Sequence, residues 1–209
     1  MNQIHPQLAK AVSDAACGVG PTRAGVAGHD VHFYRTDAQL TGTVVDFLAA
    51  GVRIGQPIIV IATDAHRRAF ADGLRLAGLD MEQVFSGRVA LWLDARETLA
   101  AFMTGPLPDA ELFAATVGNV FEKLLHNQRY LLVRAYGEMV DLLWKDGNVE
   151  GAMRLEELWN QLAEQYQYSL LCSYSVDHFL QEAGAEGVRR VCSHHTHVLP
   201  FEAIPESAD

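Results

Sequence analysis

The sequence predicts an α/β protein, a single domain built on one mostly parallel sheet with helices on both faces. Two observations carry that prediction. Strand-sized apolar runs alternate with segments whose apolar residues recur at helical spacing, which is the pattern of repeated βαβ units. Two of the runs, Ile58 to Ala62 and Tyr168 to Tyr174, read as strands buried on both faces. These two runs are expected to lie side by side. The chain has 209 residues, 49% of them hydrophobic and 20% charged, enough for one substantial core.

Taken in order, residues 1–28 are rich in Ala and Gly and read as a flexible lead-in. The domain proper is expected over residues 29–200, with a fraying tail over 201–209. Val31 to Tyr34 is a short strand. Thr36 or Asp37 can cap the helix after it, because either side-chain oxygen accepts from the free N–H groups of a first turn. Leu40, Val44, Phe47, Leu48 and Gly51 share one face of that helix, and Gly55 ends it. The strand at Ile58 to Ala62 is followed by a helix from Asp64 to Ala77, stopped by Gly78. Val89 to Leu93 is the next strand, and a helix from Ala95 to Met103 follows before Pro106 and Pro108 interrupt the chain. A long helix is expected over Ala110 to Leu125, then a strand from Tyr130 to Val133 running on into Arg134-Ala135-Tyr136-Gly137-Glu138. The helix from Val149 to Tyr166 buries Ala152, Leu155, Trp159, Leu162 and Tyr166, with Glu156, Glu157 and Gln161 on its other faces.

Composition excludes several classes of function. A formal net charge of -10 repels phosphate backbones, so no direct nucleic-acid binding is expected. Three cysteines, Cys17, Cys172 and Cys192, are too few and too irregular for a secreted disulfide framework. No apolar run approaches the roughly 20 residues of a membrane span, and no secretory leader is visible, so the expected location is the cytoplasm.

The run Phe47 to Pro57, with Ile58 to Ile61 after it, resembles the helix and second strand that follow the phosphate loop of KaiC-type RecA-fold ATPases. Leu76-Ala77-Gly78-Leu79-Asp80 and Gly87-Arg88-Val89 resemble the next segment of those proteins. Where they carry a Gly-rich loop ending in Gly-Lys-Thr, this chain has Tyr34-Arg35-Thr36-Asp37-Ala38-Gln39-Leu40-Thr41-Gly42, without a lysine. No ATP hydrolysis is therefore expected, and no enzyme of another kind is signalled. A narrower resemblance, from about Asp30 to Pro200, is to the MEDS sensory domain (methanogen/methylotroph, DcmR sensory). It is carried by His32-Phe33-Tyr34, Arg134 to Val140, Leu155 to Asn160, Leu171 to Tyr174 and Cys192 to Pro200. The resemblance implies a non-catalytic sensor of a small molecule, with hydrocarbon derivatives proposed as signals. It further implies transcriptional or signalling output through a partner in trans, such as a histidine kinase or a transcription regulator. A homo-oligomer is left open, as is the cofactor. The alternatives are a degenerate nucleotide-binding protein and a metal- or thiol-based redox sensor.

Open parallel sheets bind ligands beyond the carboxyl ends of their strands. The expected ligand-binding residues are accordingly His32, Tyr34, Arg134, Glu138, Cys172 and Tyr174. Arg134 and Glu138 either orient the ligand or form a structural ion pair with each other. Cys172, inside a buried strand, otherwise reads as a small hydrophobe. Cys192, His194, His195 and His197 are metal-ligand types, but all lie within six residues, whereas a tetrahedral site normally gathers separated pairs, so no metal is expected from that segment alone. Cys172 joining from the sheet would change that expectation.

Overall fold

A computed structural model of the chain describes residues 18–19, 25–85, 89–126, 131–179 and 184–199. The rest of the expected lead-in, with Cys17, and the expected tail lie outside the described residues. The elements are β1 (Gly18–Val19), β2 (Gly28–Tyr34), α1 (Asp37–Arg53), β3 (Ile58–Ala62), α2 (Asp64–Leu76), α3 (Met81–Val84), β4 (Ala90–Asp94), α4 (Ala95–Ala100), β5 (Met103–Thr104), β6 (Leu107–Pro108), α5 (Ala110–Leu125), β7 (Val133–Gly137), α6 (Met139–Lys145), α7 (Val149–Leu162), β8 (Tyr168–Ser175), α8 (Gly184–Cys192) and β9 (His197–Val198).

Seven strands form one sheet in the order β1-β9-β2-β8-β7-β3-β4, and every ladder in it is parallel. The strands β5 and β6 form a separate antiparallel hairpin. This is a Rossmann/RecA-like α/β architecture. β3 and β8 share the sheet but are not neighbours, because β7 lies between them. Both runs are buried on two faces, and that property places a strand inside a sheet without saying which strand it abuts.

Alternation along the strands sorts side chains between two cores. Val31, Phe33, Ile59, Ile61, Ala135, Leu170 and Cys172 pack with α4 to α8. Tyr34, Ile58, Val60, Tyr136 and Leu171 pack with α1 to α3. The α1 helix starts where Thr36 accepts from the Gln39 N–H, at 3.2 Å. It comes very close to the sheet at Gly51, where a Cβ would fall 2.5 Å from Arg134 Cδ. Among the described residues, no helix is long and apolar enough to cross a membrane.

Three local expectations need correction. The helix after β4 ends at Ala100, and the segment with Pro106 and Pro108 makes the β5–β6 hairpin instead of a plain break. The strand expected to run on through Glu138 ends at Gly137, and the short helix α6 follows at once with Glu138 at its N-terminal boundary. Glu156 is fully buried, since α7 is packed over an arc broad enough to include Gly151, Ala152, Met153, Leu155, Glu156, Leu158, Trp159 and Leu162.

Candidate functional site

The side of the sheet under α1 is unusually polar. The β2 alternation sends Asp30, His32 and Tyr34 there, and β7 and β8 add Arg134, Tyr136, Ser169 and Ser173, all buried. His32 Nε2 lies 3.3 Å from Thr43 Oγ1, and burial pulls its pKa down to about 4. Arg134 is the second residue of β7, near the amino end of the strand. It donates from Nε to Gln56 Oε1 at 3.0 Å and from Nη1 to the Phe47 carbonyl at 2.7 Å, with its guanidinium 4.5 Å over the Phe47 ring. Buried atoms on this side without a well-formed hydrogen bond among the described residues include His32 Nδ1, Arg134 Nη2, Tyr136 OH, Ser169 Oγ and Ser173 Oγ.

At the carboxyl edge these polar groups meet a second array. Tyr34 and Ser175 end β2 and β8 at the same register position. Tyr34 OH donates to Asp141 Oδ2 at 2.7 Å, the Ser175 N–H donates to Asp141 Oδ1 at 3.0 Å, and Lys145 Nζ reaches both Asp141, at 2.8 Å, and Tyr34 OH, at 3.2 Å. Burial, followed by the charge of Asp141, pushes the Tyr34 hydroxyl far above its ordinary value. Alongside, Glu138 accepts from the Thr63 N–H at 2.6 Å and from His66 Nδ1 at 2.5 Å, while exposed Asp37 lies 3.7 Å from His66 Nε2. The Glu138 hydrogen bond raises the His66 pKa above its ordinary 6.5. A raised folded-state pKa means that the pair's stabilisation is fully present below about pH 6.5 and fades as pH climbs through the raised value. Melting temperatures of the wild type and Glu138→Gln should therefore differ most in mildly acidic buffer, and the gap should narrow in alkaline buffer. A gap independent of pH would mean that His66 carries no charge there.

The opposite face holds a third group. Glu156 of α7 accepts from Tyr174 OH at 2.6 Å and faces His29 Nε2 at 3.2 Å and His195 Nε2 at 3.5 Å. The Cys172 thiol lies 3.5 Å from Glu156 Oε2 and 3.3 Å from His29 Nε2. Burial pushes the Glu156 carboxyl up, but the facing His195 and His29 rings and the Tyr174 hydroxyl outweigh it and hold the group at about 2. Burial, and then the neighbouring carboxylate, push the Cys172 thiol well up. Burial, and then His29, bring His195 down to about 3.

The six residues expected to bind ligand thus divide between two faces. His32, Tyr34 and Arg134 lie on the α1 side, Glu138 lies at the carboxyl edge, and Cys172 and Tyr174 are on the far face. Arg134 and Glu138 do not hydrogen-bond each other. The Cys192–His197 segment is also dispersed: Cys192 packs in the core, the His194 carbonyl accepts from Asn160, His195 enters the Glu156 group, and His197 Nδ1 lies 3.3 Å from Asp30 Oδ1. Sequence reasoning missed His29, His66, Asp141, Lys145 and Glu156. Only Glu156 left a signal, as a carboxylate one position after Leu155 and three before Trp159 on a helix that packs tightly.

A comparison with curated proteins returns no match. Among solved structures, Thermomonospora curvata EccC (ATPases 2 and 3) in complex with a signal sequence peptide aligns at 12% identity and a TM-score of 0.39, over 80% of this chain and 28% of that chain. An overlap that loose supports no conclusion about fold or activity. The model of the MEDS domain (MEthanogen/methylotroph, DcmR Sensory domain) matches residues 28–196, which take in both faces of the sheet and all three polar groups, and the chain belongs to that family.

Proposed function

We propose that the chain is a non-catalytic sensor whose small organic ligand enters at the carboxyl edge, beside Tyr34, Glu138 and Asp141, and is held under α1. The observation that carries this reading is the set of buried polar atoms on the α1 side of the sheet that lack a well-formed hydrogen bond. A buried polar atom without a partner is costly, and sets of them mark places where water or a ligand completes the hydrogen bonding. Tyr136 and Ser173 face each other on that side, close together but without a well-formed hydrogen bond. A short molecule with a hydroxyl, carbonyl or other polar end on a hydrocarbon body matches such a lining. The link between β2 and α1 supports the absence of catalysis. It consists only of Arg35 and Thr36, leaving no loop to wrap phosphates.

In this reading the output passes from a cytoplasmic sensor to a partner protein, such as a histidine kinase or a transcription regulator. The ligand biases α1 between two positions, by no more than its differential affinity for them. The test is Tyr136→Phe. Removing an unsatisfied buried hydroxyl should leave the ligand-free protein as stable as before or stabilise it by about 1 kcal/mol. It should also abolish the rise in melting temperature produced by the effective members of a panel of short-chain alcohols, aldehydes and ketones. A destabilised variant that still responds to the panel would place the ligand elsewhere. Stabilisation by ATP or ADP with magnesium, and not by the panel, would favour the degenerate nucleotide-binding reading.

A further inference from the structure

On the far face of the sheet, four side chains from separate parts of the chain converge. His29 is the second residue of β2, Cys172 lies within β8, Glu156 is midway along α7, and His195 lies just beyond α8. All four are buried, and one potential ligand atom from each lies within 4.8 Å of every other.

Three distances on one set of ligand atoms fit a tetrahedral ion, and His195 stands as close to the other oxygen of the same carboxylate. Zinc bonds of about 2.0–2.3 Å to nitrogen, oxygen and sulfur place neighbouring ligand atoms about 3.3–3.7 Å apart. His29 Nε2 is 3.2 Å from Glu156 Oε2 and 3.3 Å from Cys172 Sγ. Cys172 Sγ is 3.5 Å from Glu156 Oε2, and His195 Nε2 is 3.5 Å from Glu156 Oε1.

The outer contacts orient all the donors inward. His29 Nδ1 lies 2.9 Å from Asn160 Oδ1, and the amide is fixed because Asn160 Nδ2 donates to the His194 carbonyl at 3.0 Å. His195 Nδ1 lies 2.7 Å from the Val191 carbonyl. Carbonyl oxygens only accept, so in each ring Nδ1 carries the proton and Nε2 turns its lone pair toward the centre. That second contact at Nδ1 is the usual support of a metal-bound histidine. Without an ion, the fully buried His195 Nε2 has no hydrogen-bond partner and its lone pair faces a carboxylate. Tyr174 OH, donating to Glu156 Oε1 at 2.6 Å, orients the fourth donor.

We propose that His29, Glu156, Cys172 and His195 form a closed four-ligand site for one divalent transition-metal ion, with zinc the best match to the donor set. A thiolate, a carboxylate and two neutral imidazoles around a dication sum to zero charge, which suits a site without water. Binding forms a metal–sulfur bond and releases the Cys172 thiol proton to solvent, with no change of oxidation state. All four positions are taken by protein, so the ion ties β2 and β8 to α7 and the turn after α8. A cavity of about 350 Å³ lined in part by His29, Asn160 and Thr196 gives a path for entry. The site lies across the sheet from the ligand region under α1 and does not depend on it.

Cobalt(II) titrated into the chelator-treated full chain tests the proposal. One equivalent should bind with the visible absorption of tetrahedral cobalt and a near-ultraviolet thiolate-to-cobalt band, and zinc should displace it. Cys172→Ser should remove the thiolate band, and Cys192→Ser and His194→Ala should retain it. Asn160→Ala is outside the ligand set and should weaken binding by about 10–100-fold with the band position unchanged. The Asn160 variant decides the matter if Cys172→Ser does not fold. A wild-type chain that gives no tetrahedral cobalt spectrum overturns the proposal. So does a thiolate band that survives Cys172→Ser in folded protein, a band lost with Cys192→Ser or His194→Ala, or an Asn160→Ala variant that binds as tightly as the wild type.

Discussion

Trp159→Ala is expected to lower the free energy of unfolding by about 3–5 kcal/mol, the cost of removing a large aromatic from a packed core. Trp159 is 1% exposed and makes edge-to-face contacts with Phe113, at 5.3 Å, and Tyr168, at 6.0 Å. Its carbonyl also accepts from the Tyr168 hydroxyl, so the indole anchors α7 where that helix meets β8. The same helix carries Glu156 and Asn160, and its displacement would loosen the cluster on the far face. Urea unfolding would show the loss as a lower midpoint at unchanged slope. Exposed ion pairs offer the contrast: Arg68–Asp64 and Arg75–Asp72 have every partner more than half exposed. Removing either should cost less than about 1 kcal/mol. A Trp159→Ala loss as small as that would mean that the core closes over the gap.

The second large effect is a loss of stability in acid traced to His32. Its imidazole is buried neutral, with a pKa of about 4 against an ordinary 6.5. The unfolded chain therefore binds a proton between those values that the folded chain does not, and stability falls as pH drops through that window. The slope reaches about 1.4 kcal/mol per pH unit, roughly 3 kcal/mol across the window. His32→Gln removes the titration and keeps a polar side chain within reach of Thr43. The difference in stability between wild type and variant should change with pH between 6.5 and about 4 and level off above it. A difference that stays flat throughout would mean that the folded protein protonates His32 freely.

The parallel sheet was legible because two signals reinforce each other. Ile58 to Ala62 is apolar at every position, and the helices on either side carry apolar residues at helical spacing; both patterns reflect burial, which composition records directly. Helix α5 was read with its bounds intact, since Asp109 caps it with two N–H bonds and Leu125 is its last residue. Strand neighbours were not legible. Order in a parallel sheet is set by crossovers longer than any local pattern, which is why β7 between β8 and β3 left no trace. The far-face cluster was hidden for the same reason. His29 and His195 stand 166 positions apart, and only the pairing of β2 with β8 and β9 brings their elements together. The spacing of Arg134 and Glu138 was equally illegible: β7 runs from Val133 to Gly137, so Arg134 lies near its start and Glu138 just past its end, and the strand holds the two charges apart.

The place of β2 in the sheet also governs the order in which the protein can be made. Its hydrogen-bonded neighbours are β8 and β9, and Tyr34 pairs with Ser175, about 140 residues later. By contrast, β3 and β4 are joined by the crossover that carries α2 and α3, and Ile58 pairs with Ala90 only about 30 residues later. On a ribosome adding about 5–20 residues per second, the first long strand waits roughly 7–30 seconds with both edges open before its partner emerges. Through that interval its polar-studded, two-edged ribbon must be shielded by α1 or by a chaperone. Shortening the chain before Tyr168 should leave it without a foldable centre, however well its amino-terminal helices form.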